Sequence, residues 1–167
     1  IAWSMALGLP QSEVTGLDIS PEALSVASSQ FDGDEALSGA ETCNRPRFVL
    51  SDVLDPDCLK DGGRFDIFLS NPPYVRESEK ALMSRNDLDW EPGLALFVPD
   101  GDPLRFYGAE AAMAARLLSP GGFGLVEINE AYGREVAGLF RDAGFRDPEV
   151  LKDLSGRDRF VLFSAER

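Results

Sequence analysis

There is no histidine anywhere in this chain of 167 residues. The commonest general acid–base side chain is thereby excluded, and so is the commonest metal ligand. Cysteine is almost as scarce. Cys43 and Cys58 are the only two and form no Cys-x-x-Cys pair, so no zinc or other metal site is expected, and two reduced structural thiols in a cytoplasmic protein are the default. Basic charge is short as well: 16 Lys and Arg stand against 29 Asp and Glu, a formal net charge of −13. Nucleic-acid binders usually carry a basic stripe, and none is visible, which argues against DNA or RNA as a partner. The acidity fits a solvated exterior or a basic partner surface. Missing too is any apolar run long enough to cross a bilayer, and the opening stretch from Ile1 to Pro10 lacks the basic flank of a signal peptide.

What is present is 44% apolar and 27% charged residues, the composition of an ordinary globular domain, and a single domain over residues 1–167 is expected. Its organising stretch runs from Phe65 to Tyr74. A short apolar run rich in aromatic and β-branched residues follows Gly62-Gly63 and predicts a buried strand, which leads straight into an Asn71-Pro72-Pro73-Tyr74 turn. Each proline fixes φ, carries no N–H and pushes its predecessor out of the α region, so the turn is stiff and its carbonyls are free to accept. The Asn71 side-chain oxygen and the Pro72 carbonyl can take both hydrogens of a substrate NH2 group, with the Tyr74 ring flat against a planar amide or base. Accepting both hydrogens aims a nitrogen lone pair that conjugation otherwise ties up. A strong electrophile must supply the rest. S-adenosylmethionine is one, and methyl transfer from it is a positioning problem that needs no histidine. The plain structural alternative is a stiff strand-to-loop turn made of ordinary turn residues.

The rest of the chain reads as an alternation of helices and short strands. Ile1 to Leu9 looks like the tail of a helix closed by Gly8 and Pro10. Val14 to Leu17 is a strand ending on Asp18, and Ser20-Pro21-Glu22-Ala23 supplies an N-cap and a first-turn proline for a helix to about Gln30. Strand, acidic residue, helix is half of a nucleotide-binding βαβ unit, in which an acidic residue about 20 positions after a glycine-rich turn binds ribose hydroxyls. Counting back from Asp18 passes Ile1, so the first strand and its Gly-rich turn are expected upstream. Residues 32–44 read as a polar surface loop. Arg47 to Leu50 is the next strand, closing on Ser51-Asp52 before a helical turn within Val53 to Leu59. Two parallel strands ending in Asp18 and Asp52 put both carboxylates on one sheet edge, where α/β folds bind ligands. Asp at a strand end is also an ordinary helix N-cap.

Val75 to Pro103 reads as a long proline- and charge-rich loop, a lid or substrate wall, or else a surface crossing anchored by Trp90, Leu94, Leu96 and Phe97. Leu104 to Leu118 is a helix ended by Pro120-Gly121-Gly122, Phe123 to Ile128 a buried strand, and Ala131 to Ala143 an amphipathic helix stopped by Gly144. Pro148 to Leu154 and Phe160 to Phe163 then form a hairpin, antiparallel in an otherwise parallel sheet. The fold class is α/β.

Gly16-Leu17-Asp18-Ile19-Ser20, Ser51-Asp52, Asn71-Pro72-Pro73-Tyr74, Glu91-Pro92-x-x-Ala95-Leu96, Ser119-Pro120-Gly121-Gly122 and Arg157-Asp158-Arg159 together resemble the class I S-adenosylmethionine-dependent methyltransferases. More narrowly, the chain resembles the release-factor glutamine methyltransferases of the HemK/PrmC family. Asn-Pro-Pro-Tyr alone is shared with adenine and cytosine amino-methyltransferases, and its combination with the Glu-Pro-x-x-Ala-Leu segment and the terminal turn is the narrower signature.

That resemblance implies a Rossmann-like, seven-stranded sheet and a cytoplasmic, monomeric enzyme. Its reaction would be methylation of the side-chain amide of the Gly-Gly-Gln glutamine in peptide-chain release factors, leaving S-adenosylhomocysteine. Asn71 and Pro72 would hold the amide and Tyr74 pack on it, with Pro73 and Glu91 also facing substrate. Asp18, with Ile19 beside it, would hold the cofactor ribose, Asp52 and Val53 would flank adenine, and Asn71 would border the cofactor too. Family members carry an N-terminal helical substrate-binding domain and a Gly-rich cofactor turn, neither of which is in this stretch, and residues 1–167 alone are not expected to turn over.

Three further readings use the same residues. An amino-methyltransferase acting on adenine in DNA or RNA would extrude the base into the Asn71 slot, against the charge balance. A glutamine methyltransferase for a ribosomal protein would have the same site. Outside catalysis, a methyltransferase-like fold could bind a partner and no cofactor.

Overall fold

A computed structural model describes residues 1–30, 43–83 and 92–166. They belong to two compact units, Ile1–Leu59 and Lys60–Arg167.

In the first unit, helix α1 (Ala2–Gly8) buries Trp3 and Ala6. Strand β1 (Thr15–Asp18) is followed by helix α2 (Pro21–Ser29). Its start is built as the residues predict: Ser20 is extended, its hydroxyl accepts the Ala23 N–H, and Pro21 occupies the first turn, where a missing N–H costs nothing. The Trp3 indole N–H donates to the Ala27 carbonyl at 2.7 Å. Strand β2 (Arg47–Leu50) lies parallel to β1 with Asp18 opposite Leu50. Beyond it, short turns from Asp52 to Asp55 and from Asp55 to Cys58 replace a regular helix.

The second unit opens with β3 (Phe65–Ser70) and closes as a four-stranded sheet in the order β3, β6 (Leu118–Glu127), β8 (Asp158–Ser164), β7 (Arg146–Lys152). Between them come β4 (Val75–Arg76), a 3-10 helix (Glu77–Leu82), α3 (Gly93–Leu96), β5 (Phe97–Val98) and α4 (Arg105–Leu117). Strand β6 (Leu118–Glu127), helix α5 (Gly133–Asp142) and strands β7 (Arg146–Lys152) and β8 (Asp158–Ser164) follow. Pairing is parallel for β1–β2, β3–β6 and β4–β5 and antiparallel around β8. The antiparallel C-terminal hairpin is therefore as expected, and the architecture is Rossmann-like α/β.

Helix α4 contributes Tyr107, Ala111 and Ala114 to the core, a spacing of four then three that keeps one face inward. Helix α5 adds Val136, Ala137 and Phe140, and the sheet adds Val126, Val161 and Phe163. Phe140 stacks on Phe163 with centroids 4.0 Å apart. Burying each such large side chain contributes roughly 2 kcal/mol.

Two expectations need correction. Pro120-Gly121-Gly122 does not stop a helix: α4 ends at Leu117 and β6 begins at Leu118, so the three residues lie inside a strand. The ladder slips between Phe65 and Ile67, and the glycines serve that irregularity. Gly121 has φ +80°, its N–H donates to the Glu166 carbonyl, and a Cβ on Gly122 would stand 3.0 Å from the Asp66 and Ser119 carbonyl oxygens. Arg64 ties down the strand start by donating to the Leu118 carbonyl at 2.7 Å.

The stretch from Val75 to Pro103 is likewise not one irregular loop, because β4 and β5 pair in parallel, Val75 opposite Phe97 and Arg76 opposite Val98. Val98 is fully buried, and the Glu79 carboxylate accepts the Arg76 backbone N–H at 2.8 Å. Buried apolar side chains and a local cap give this stretch secondary structure of its own. Trp90, Glu91 and nearly all of the 32–44 loop reading lie outside the described residues.

Candidate functional site

Strand β3 carries the candidate turn. Phe68 packs against the core, its ring centroid 6.1 Å from that of Phe163. At the strand's C-terminal end the Ser70 hydroxyl bonds the Glu110 carboxyl on α4. Asn71 follows, exposed, and its side chain has no hydrogen-bond partner among the described residues; Pro72 is buried and Pro73 half-buried. A buried proline fixed in φ next to a free carboxamide is a rigid mount for an acceptor.

Tyr74 is held at both ends. Its hydroxyl donates to Glu127 Oε1 at 2.7 Å, and its carbonyl accepts from Asn129 Nδ2 at 3.1 Å. One carbonyl of the turn is therefore occupied, not free as the sequence suggests. Burial first, then the Glu127 hydrogen bond and charge, push the phenol up to about 12. At neutral pH it is an uncharged donor with a fixed ring.

Asn129, buried, is a four-way clamp. Its Nδ2 also donates to Glu79 Oε2 at 3.2 Å, its Oδ1 accepts the Ala131 N–H at 3.0 Å, and its own backbone N–H donates to the Tyr107 hydroxyl at 3.2 Å. Glu79 in turn is bonded by Arg76, and that guanidinium hydrogen bond is the first cause holding its carboxyl below the usual range. Arg159 bonds Asp153 at 3.3 Å and stands 4.0 Å from Glu127. Beside Tyr74 opens a cavity of about 220 Å³ with Val75, Glu79, Asn129 and Arg159 in its walls.

Glu79, Glu110, Glu127 and Asn129 are not singled out by the sequence analysis. Glu127-Ile128-Asn129 closes β6 as Asp18 closes β1, so the rule that flagged polar strand ends could have found it. Glu79 gives no such signal.

The remaining cofactor candidates lie in the first unit. Asp18 Oδ1 accepts the Ser20 N–H and Asp52 Oδ1 the Leu54 N–H, both at 2.8 Å. Each carboxylate thus does the capping work of an ordinary strand-end Asp while keeping its second oxygen unengaged among the described residues. Ile19 is 47% exposed and Val53 half-buried. With Asp18 opposite Leu50 in a parallel register, Asp18 and Asp52 both fall at the C-terminal edge of the pair.

No family model matches the chain. A release factor glutamine methyltransferase of Bacteroides thetaiotaomicron is 45% identical over 161 residues, 96% of this chain and 55% of the relative. Among solved structures, a methyltransferase from Pyrococcus furiosus superposes with a TM-score of 0.59 at 14% identity, over 93% of this chain and 64% of that one. The release-factor-specific protein-(glutamine-N5) methyltransferase from Alicyclobacillus acidocaldarius gives 0.50 at 22% identity, over 99% and 88%. At these identities the two solved structures speak to fold alone. The chain spans about half the length of the curated relatives it matches. It has the Rossmann-like methyltransferase fold, and over nearly all of its own length it is similar to the release factor glutamine methyltransferases.

Proposed function

We propose that this chain carries the methyl-transfer site of an S-adenosylmethionine-dependent protein glutamine methyltransferase, whose substrate is the Gly-Gly-Gln glutamine of a peptide-chain release factor. The observation that carries the reading is the mount at the end of β3: an exposed Asn71 carboxamide, unpartnered among the described residues, beside buried Pro72, with Tyr74 fastened to Glu127. Asn71 Oδ1 and the Pro72 carbonyl accept the two hydrogens of the substrate amide, and the Tyr74 ring borders its plane. A phenol kept neutral and bonded does not compete as a nucleophile.

The residues at the β1–β2 edge fit an adenosyl group. Asp18 has an oxygen left for the ribose hydroxyls, Asp52 has one for the adenine amino group, and Ile19 and Val53 offer apolar surface to the base. When bound, S-adenosylmethionine supplies an activated methyl group, and the work of this chain's residues is to orient the nitrogen. The net charge of −13 suits a basic protein partner better than a nucleic acid. Among the described residues no helix is long and apolar enough to cross a membrane; a release-factor substrate would put the work in the cytoplasm, beside the translation machinery.

The test is transfer of label from S-adenosylmethionine, with the N-terminal part of the Bacteroides relative joined upstream of Ile1. Release factor and duplex DNA are offered separately. Label on the release factor that vanishes when its Gly-Gly-Gln glutamine is replaced is the expected result. Label on DNA alone overturns the substrate, and label on neither, with no cofactor binding, overturns the enzyme.

A further inference from the structure

The end of β3 is backed by a carboxyl group that methyl transfer has no use for. Glu110 sits in the stripe Tyr107, Glu110, Ala111, Ala114, Leu117 that α4 turns to the core, and it is 2% exposed. An apolar residue would complete that stripe. A buried carboxyl is costly unless paired, yet its one hydrogen-bond partner among the described residues is the Ser70 hydroxyl on Oε1, and its Oε2 is buried with none. Ser70 is the last residue of β3 and the neighbour of Asn71.

We propose that Glu110 is a positioning residue for Asn71, acting through Ser70: the charge on this carboxyl sets how the strand ends and how the Asn71 carboxamide is presented. The functional half of this statement rests on Asn71 holding the substrate nitrogen, as argued above.

Burial, partly opposed by the Ser70 hydrogen bond, pushes the Glu110 carboxyl up to about 8. It is therefore neutral through the ordinary range and becomes an anion above it. Among the described residues no Lys or Arg pairs with it. The Tyr107 hydroxyl, one turn earlier, accepts the Asn129 N–H, and its phenol is raised first by burial and also by the charge of Glu110. Glu127 at the end of β6 is bonded to Tyr74. Asp66 on β3 and Arg134, Glu135, Arg141 and Asp142 on α5 are all exposed. The anion's available relief is a tighter pull on the Ser70 hydroxyl or entry of water, and either moves the residue that precedes Asn71.

The experiment is NMR of the isotopically labelled chain from pH 6 to pH 10, following the Glu110 carboxyl carbon and the Asn71 side-chain amide together. Both should shift with one midpoint near 8. In Glu110→Gln the Asn71 signal should stay still. In Ser70→Ala, Glu110 should still titrate while Asn71 no longer follows, and this variant decides the matter if Glu110→Gln does not fold. An Asn71 signal that ignores a titrating Glu110, or a Glu110 that titrates in the ordinary carboxylate range, overturns the proposal. In the active, N-terminally joined form, kcat should fall about tenfold across the same midpoint with the KM for S-adenosylmethionine unchanged, and Glu110→Gln should flatten that profile. Coupling in the NMR data with no methyl transfer at any pH would overturn the glutamine methyltransferase reading and leave the coupling standing; transfer without coupling would do the reverse.

Discussion

The Tyr74 hydroxyl donates to Glu127 Oε1 at 2.7 Å, joining the last residue of the candidate turn to the last residue of β6. The two lie 53 positions apart in sequence, so the bond ties the turn to the central strands of the four-stranded sheet. Tyr74→Phe keeps the ring and loses the bond. It should cost about 1 kcal/mol in stability and several-fold in methyl transfer. The phenol also gives a direct reading. Its pKa is raised in the folded protein, so the stability it contributes is fully present below about pH 10 and is lost as pH rises through about 12. Glu127→Gln removes the carboxylate charge and should bring the Tyr74 ionisation to lower pH in an ultraviolet absorbance titration. An unchanged titration would mean that burial alone sets it.

Asn71 and Asp18 should separate cleanly in kinetics. Asn71→Ala removes an acceptor aimed at the reacting nitrogen, a loss on the order of 100-fold in kcat with little change in cofactor affinity. Asp18→Ala removes a ribose ligand and should mainly raise the dissociation constant for S-adenosylmethionine. Isothermal titration of the cofactor beside a labelled-methyl assay checks both. An Asn71→Ala enzyme with the parent kcat would dispose of the proposed mechanism.

Gly124 is a packing constraint that no motif announces. A Cβ built there would lie 2.2 to 2.9 Å from three atoms of the Phe163 ring. The ring has no room to retreat: Phe140 stacks on it at 4.0 Å and Phe145 leans against it at 4.8 Å. Gly124→Ala should therefore cost about 2 kcal/mol, roughly 5 °C in Tm for a chain of this size. A thermal melt within a degree of the parent would show that β6 can shift to make space.

These residues also mark how far the sequence could be read. Short apolar strands and capped helices were legible because their signals are local: Ser20 and Pro21 start α2 where a hydroxyl and a missing N–H belong. Pro120-Gly121-Gly122 misled because the same residues serve a helix stop and a strand irregularity, and only pairing with β3 and the Glu166 carbonyl chooses between them. The stretch after Tyr74 misled because β4 and β5 are two residues each, too short to show a period. Asn71, Pro72 and Tyr74 could be picked out since one stiff turn contains them. Their supports are scattered: Glu127 and Asn129 come from β6 and its end, where only the strand-end rule points to them, Glu79 from a 3-10 turn and Glu110 from a helix. Glu110 did leave a trace, a lone charge in an otherwise apolar helical stripe.

That lone charge makes a stability prediction of its own. In the unfolded chain Glu110 ionises near its ordinary value of 4.5, whereas in the folded protein it holds its proton to about 8. Between those values the native state binds the extra proton, so stability falls as pH rises. The contribution is complete below about pH 4.5 and gone above about pH 8, on the order of a few kcal/mol. Glu79 and Asp153 pull the other way, since hydrogen bonds hold both below the usual carboxylate range, and only the difference between two proteins isolates Glu110. Chemical denaturation of the parent and of Glu110→Gln at a series of pH values provides it. The variant should gain on the parent steadily from about pH 5 to pH 8 and then hold its advantage. Parallel curves would show that the folded carboxyl ionises with the rest, and that Ser70 bonds an ordinary carboxylate.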